Sequence, residues 1–214
     1  VRPHTVFAEG LDAYGNTTEK LLEKAKVAAR QCEKVVLCVG LPERYESEGF
    51  DRGSLKLPEG HLRLINAVTE ENANTIVILM SGGVVECPWA GKVKGILYAG
   101  LSGQAGAQAI ANILYGKVNP SGKLAESWPI NYEDCATAAF YGKEKDAIYR
   151  EGIYVGYRYY DKIQLPVRWC FGYGLSYTTF AYSNLKIQEP EPSEQIRQLQ
   201  KNNQIEKIKR LQKD

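Results

Sequence analysis

Two glutamates, Glu46 and Glu48, open the stretch Glu46-Ser47-Glu48-Gly49-Phe50-Asp51-Arg52, which runs on to Leu57-Pro58. So dense a set of ionisable side chains around one glycine is more than a plain connector needs. In extended backbone, residues two apart project to the same side. Glu46 and Glu48 are therefore expected to share a face. A carboxyl whose proton affinity is raised by burial serves as a general acid. The other reading is structural: Glu46 and Glu48 are solvated, and Asp51 pairs with Arg52 to brace the loop. Residue types alone leave both open.

The elements around this stretch decide where it can sit. Before it, Val35-Val36-Leu37-Cys38-Val39-Gly40 is an apolar, β-branched run ended by glycine, the pattern of a buried parallel strand. After Pro58, Leu62, Leu64, Ile65 and Val68 recur at helical spacing. The acidic stretch thus leaves the carboxyl end of a strand, the edge where open α/β sheets bind ligands. Thr5–Ala8, Asn74–Met80 and Val93–Ala99 read as further strands. Thr17-Thr18-Glu19 reads as a helix start, with Leu21, Leu22, Ala25, Ala28 and Ala29 inward, and a helix is expected over Gln108–Tyr115 with Ala109, Ile110, Ile113 and Leu114 inward. Strand and helix alternate, so the fold class is α/β, a largely parallel sheet flanked by helices.

Beyond Gly116 the pattern weakens. Tyr132–Asp146 reads as a surface loop. The aromatic run Ile153–Tyr160 reads as a strand or hairpin, its Tyr154, Tyr157, Tyr159 and Tyr160 either packing a core or stacking on sugar rings. Gly100–Gly106 follows a strand and opens a helix, but its G-x-x-G-x-x-G spacing fits neither a dinucleotide fingerprint nor a phosphate loop, so tight packing is the better reading. The stretch 188–214 lacks aromatics and glycine and is rich in Gln, Glu and Lys, the composition of a disordered or helical solvated tail.

A net charge of +2 gives no case for nucleic acid. No apolar run is long enough to span a membrane. Five cysteines without a C-x-x-C pair, with Cys38 and Cys87 in or beside apolar runs, read as buried reduced thiols and fit a cytoplasmic setting. Two distant histidines, His4 and His61, argue against a histidine metal site or a Ser-His-Asp triad.

The acidic stretch with Leu57-Pro58 resembles the E-G-[YF]-D-R…L-P segment of glycoside hydrolase family 3, the β-glucosidase type. The likeness continues in order. Ser81-Gly82-Gly83-Val84-Val85-Glu86-Cys87-Pro88-Trp89 is similar to S-G-x-P-V-E-x-P-W, with Val84 where Pro is usual. Gly103–Ala111, Gly116–Leu124, Tyr149–Tyr160 and Phe171–Thr178 resemble the segments that follow, with Tyr173 at a usual His. The resemblance implies the family's second domain, an α/β sandwich, over 1–180. It also implies a truncated start of a fibronectin-III-like segment over 181–187, then the tail.

The implied chemistry is retaining hydrolysis of β-glucosides or oligosaccharides by two carboxyls, without a cofactor. In this family an Asp on a (β/α)8 barrel domain is the nucleophile, and the acid/base is commonly a Glu on the second domain's loop. Residue by residue that Glu falls on Glu48, with Glu46 as the alternative, and Glu46, Asp51 and Arg52 support the loop. Nothing upstream of Val35 has room for a barrel, which takes about 250 residues. The expectation is a fragment, split subunit or decayed copy, inactive alone. From another class, a non-catalytic carbohydrate-binding or protein-interaction domain is the alternative.

Overall fold

Three short apolar runs make the sheet. They are β1 (Val35–Gly40), β2 (Thr75–Met80) and β3 (Gly95–Tyr98), all parallel in the order β1-β2-β3. The computed structural model describes residues 5–143, 145–146, 148–187 and 194–211. These fall into two units, Val1–Tyr177 and Thr178–Asp214.

In the first unit the pleat sorts side chains by face. Leu37, Val39, Val77 and Leu79 point to one side and join Leu22, Ala25, Ala29, Leu64, Ile65 and Val68 in the core. Those last six come from α1 (Glu19–Gln31) and α2 (Glu59–Glu71), which pack on each other. Ile65, Val77 and Leu79 are fully buried, a burial worth about 1.5–3 kcal/mol for each such side chain. On the other face of β1, Val36 and Cys38 are exposed, so Cys38 departs from the buried thiol expected; Cys87 is buried. All five cysteines are free thiols.

Local chemistry sets the element ends. Thr18 caps α1, its Oγ1 accepting from Leu21 N at 3.3 Å. Asn72, just past α2, donates from Nδ2 to the Ala29 and Cys32 carbonyls, at 3.0 and 2.7 Å, and so ties the two helix ends together. Gly40 is required where β1 leaves the sheet: a Cβ there would stand 1.9 Å from the Met80 carbonyl oxygen.

The expected strand at Thr5–Ala8 is not formed, and Phe7 is largely exposed. Four residues without a pairing partner do not hold as a strand. The helix expected at Gln108 begins earlier, as α3 (Gly106–Leu114), with Ile110, Ile113 and Leu114 half-buried and Ala109 exposed. The aromatic run is also different from the expectation. Residues 157–163 form a helix, α4 (Tyr157–Ile163), entered from Gly156 at φ 57° and closed by left-handed Gln164. The near-two spacing of its tyrosines came from composition; glycine upstream broke the strand and released a helix. Tyr157 stacks on Phe171 at 5.2 Å.

Trp128 anchors the segment after α3. Its ring meets Tyr98 and Trp169 edge-on, at 5.2 and 5.4 Å. The Trp128 backbone amide donates to the Trp169 carbonyl at 2.8 Å.

In the second unit, residues 178–187 are exposed and carry no strand, and α5 (Glu194–Leu211) is a helix with Leu199 and Ile205 exposed. Residues 188–193 and 212–214 of the anticipated tail lie outside the described residues. No helix among the described residues is long and apolar enough to cross a membrane.

Candidate functional site

The loop from Leu41 to Pro58 leaves the carboxyl end of β1, as the spacing predicted, and carries all four singled-out residues. Its key feature is a tight turn. Ser47 and Phe50 form an antiparallel bridge, so Glu48 and Gly49 are its two tip residues. The turn overturns the shared face expected for Glu46 and Glu48, because backbone that reverses within two residues loses the alternation of a strand. Glu48 projects at the exposed tip. Glu46 turns inward and is 22% exposed.

Both Glu46 oxygens are engaged. Oε2 accepts from the Gly82 amide at 2.7 Å, and Oε1 lies 4.0 Å from Arg52 Nη1. Arg52 is 18% exposed, and the same Nη1 donates to the Val84 carbonyl at 3.0 Å. The Asp51–Arg52 pair expected as a brace is absent among the described ion pairs. Arg52 turns toward β2's following turn, and Asp51 faces the Tyr141 hydroxyl in the same cleft. The Asp51 carboxylate raises the Tyr141 proton affinity above its usual value, because it favours the protonated phenol as a hydrogen-bonding neighbour and repels the phenolate.

Glu126, which the sequence did not single out, belongs to this neighbourhood. Burial raises its carboxyl above the usual range, and the charge of Arg52 pulls the other way. Burial lowers the Arg52 guanidinium, against Glu46 and Glu126. Tyr98 is raised by burial and then by the charges of Glu126 and Glu46, while its hydroxyl donates to the Ser81 carbonyl at 3.0 Å. The result is one arginine among three acidic or acid-facing groups under the turn.

An open cleft of about 350 Å3 lies beside the turn. Glu46, Phe50, Asp51 and Arg52 line one side, and Tyr132 and Tyr141 the other. The far wall is pinned to the core by the Glu86 carboxylate, itself buried, which accepts from the Tyr132 amide at 3.0 Å. Glu126, Tyr132 and Tyr141 left no local mark in the sequence. They reach the loop only through contacts between distant segments, and spacing rules see neighbours. Among the described residues no group of three His, Cys, Asp or Glu is placed to hold a metal ion.

Chemically, the arrangement presents a solvent-facing carboxyl on a short, closed turn, with a neighbouring carboxylate already neutralised by hydrogen bonding and a cation. Covering the tip with another surface would supply the water exclusion that proton donation needs.

Known proteins share this framework. The model of the glycosyl hydrolase family 3 C-terminal domain matches residues 2–157. The thermostable beta-glucosidase B of Acetivibrio thermocellus is 45% identical over 191 residues, 88% of this chain and 25% of that protein. The probable beta-glucosidase J of Neosartorya fischeri is 43% identical, over 82% of this chain and 20% of that protein. Among solved structures, the GH3 beta-glucosidase of Bifidobacterium adolescentis superposes with a TM-score of 0.78 at 45% identity, over 82% of this chain and 27% of that one. The beta-glucosidase of Kluyveromyces marxianus in complex with glucose gives 0.75 at 40% identity, over 80% and 21%. The chain spans about a quarter or less of the curated relatives it matches. Motif order, family model and superposition agree, and the chain belongs to glycosyl hydrolase family 3, whose C-terminal domain it carries.

Proposed function

We propose that this chain supplies Glu48 as the proton-shuttling carboxyl of a retaining β-glucosidase. A nucleophilic Asp would come from a (β/α)8 barrel domain in the part of the relatives that this chain does not span. In the first half-reaction the Glu48 carboxyl gives its proton to the departing glycosidic oxygen while the partner Asp attacks the anomeric carbon. In the second, the Glu48 carboxylate takes a proton from the water that releases the sugar. Asp51 and Arg52 hold the turn, through Tyr141 and Val84.

The observation that carries this reading is the contrast between the two glutamates. Glu48 is exposed at a turn tip, free to meet a partner surface, whereas Glu46 is committed on both oxygens. Because the reaction needs two carboxyls, the chain alone is inactive. Mixing it with the barrel domain of a close relative restores turnover of an aryl β-glucoside, and Glu48→Gln suppresses it. Turnover by the purified chain alone, or restored activity indifferent to Glu48→Gln, overturns the proposal. A second reading, sugar binding without catalysis, draws on exposed Tyr149, Tyr177 and the aromatic cleft. Saturable glycan binding by the isolated chain, with no rescue by a barrel domain, would favour it.

A further inference from the structure

We infer that Glu46 is a positioning residue, fastening the Glu48 turn to the Gly82 amide and so setting where the Glu48 carboxyl stands. This rests on the Glu48 reading above but is carried by different contacts. The carboxylate–amide bond is short, 2.7 Å, as expected of a charge-assisted bond. It joins segments 36 residues apart, so it is not a local turn contact. Its receiving end is itself fixed. Ser81 is fully buried and donates from Oγ to the Gly83 carbonyl at 2.8 Å, and Tyr98 donates to the Ser81 carbonyl. Tyr98 in turn packs on Trp128, one of the most deeply buried rings. The rigidity of the sheet's carboxyl edge thus passes through Gly82 to Glu46.

From Glu46 only one residue, Ser47, intervenes before Glu48, and the Ser47–Phe50 bridge closes the turn. Arg52 sits behind, 4.0 Å from Oε1, and donates to Val84 on the same receiving segment. The fit leaves little slack: a Cβ on Gly82 would stand 3.0 Å from Glu46 Oε1. Loss of Glu46 frees the turn at its root while leaving the core untouched. A catalytic carboxyl displaced by about 1 Å loses up to about 100-fold in rate.

The test uses the 15N-labelled full chain. Glu46→Ala should move the Gly82 amide proton upfield and lower the heteronuclear NOE at Glu48 and Gly49, with the urea midpoint nearly unchanged. Glu46→Gln, which keeps an acceptor oxygen, should restore most of both signals. Unchanged Gly82 and Glu48 signals in Glu46→Ala overturn the inference, and if that variant unfolds, Glu46→Met, which fills the space without an acceptor oxygen, carries the test: an unchanged Gly82 amide shift there overturns it too. In a barrel-complemented enzyme, Glu46→Ala should lower kcat about tenfold or more on an alkyl glucoside and much less on a dinitrophenyl glucoside. Added to Glu48→Gln it should cost nothing further; a fully additive loss overturns it. If Glu48→Gln itself leaves kcat unchanged, the Glu48 assignment fails while the NMR result stands or falls by itself.

Discussion

Acidification should destabilise this domain through one side chain, His61. It lies on α2, 5% exposed. Its Nδ1 accepts from the Gly40 amide at 3.2 Å, so the ring proton sits on Nε2, which is buried without a partner. Gly15 abuts that nitrogen: at φ +79° its Cβ would stand 2.7 Å from Nε2. A second proton would turn Nδ1 from acceptor to donor, facing another donor. Burial lowers the His61 pKa from 6.5 to about 4. The folded state therefore favours the neutral ring, and the unfolded chain binds the proton first. The stabilisation is complete above pH 6.5 and is lost as pH falls toward 4. At about 1.4 kcal/mol per pH unit, the total is on the order of 3 kcal/mol. Urea unfolding at half-unit steps from pH 7.5 to 4 measures it. His61→Asn, whose Oδ1 can still accept from Gly40, should lose most of the pH slope between 6.5 and 4. An identical slope in both proteins would refute the reasoning, as would a His61 imidazole NMR signal titrating near 6.5 in the folded state.

Three further outcomes are expected. Gly40→Ala should cost about 3 kcal/mol or more, since the new methyl meets the Met80 carbonyl of the paired strand and neither backbone can yield; the urea midpoint reports it. Asn72→Ala should cost about 1–3 kcal/mol, by removing the Nδ2 donor that the Ala29 and Cys32 carbonyls share, and should speed amide exchange at the end of α1. Trp128→Ala should cost about 3–5 kcal/mol, removing the ring between Tyr98 and Trp169, with loss of near-ultraviolet circular dichroism.

What the sequence disclosed was whatever short-range pattern controls. α2 and β2 are dominated by burial, so their apolar periods matched their structure closely; β1 formed as read but is buried on one face only, with Val36 and Cys38 exposed. The loop after β1 was legible because its residues are adjacent in the chain. Its internal geometry was not, since reversal at Glu48-Gly49 depends on the Ser47–Phe50 bridge and on Glu46 finding Gly82. His61 looked like one more residue of an amphipathic helix. Its meaning comes from Gly40 and Gly15, on other segments. The aromatic stretch misled for the opposite reason: tyrosine favours strands on average, yet Gly152 and Gly156 take positive φ and the chain turns into a helix whose first residue, Tyr157, stacks on Phe171.

The central claim is that Glu48 carries the proton. The most direct measurement places this chain in the matching segment of the Acetivibrio relative and compares wild type with Glu48→Gln across glucosides of falling leaving-group acidity, with and without azide. The account predicts a loss of about 100- to 10,000-fold for poor leaving groups. It also predicts a small effect on the first step for dinitrophenyl glucoside, and azide rescue with formation of glucosyl azide. A Glu48→Gln rate equal to wild type across the series, or the same signature arising from Glu46→Gln instead, would contradict it.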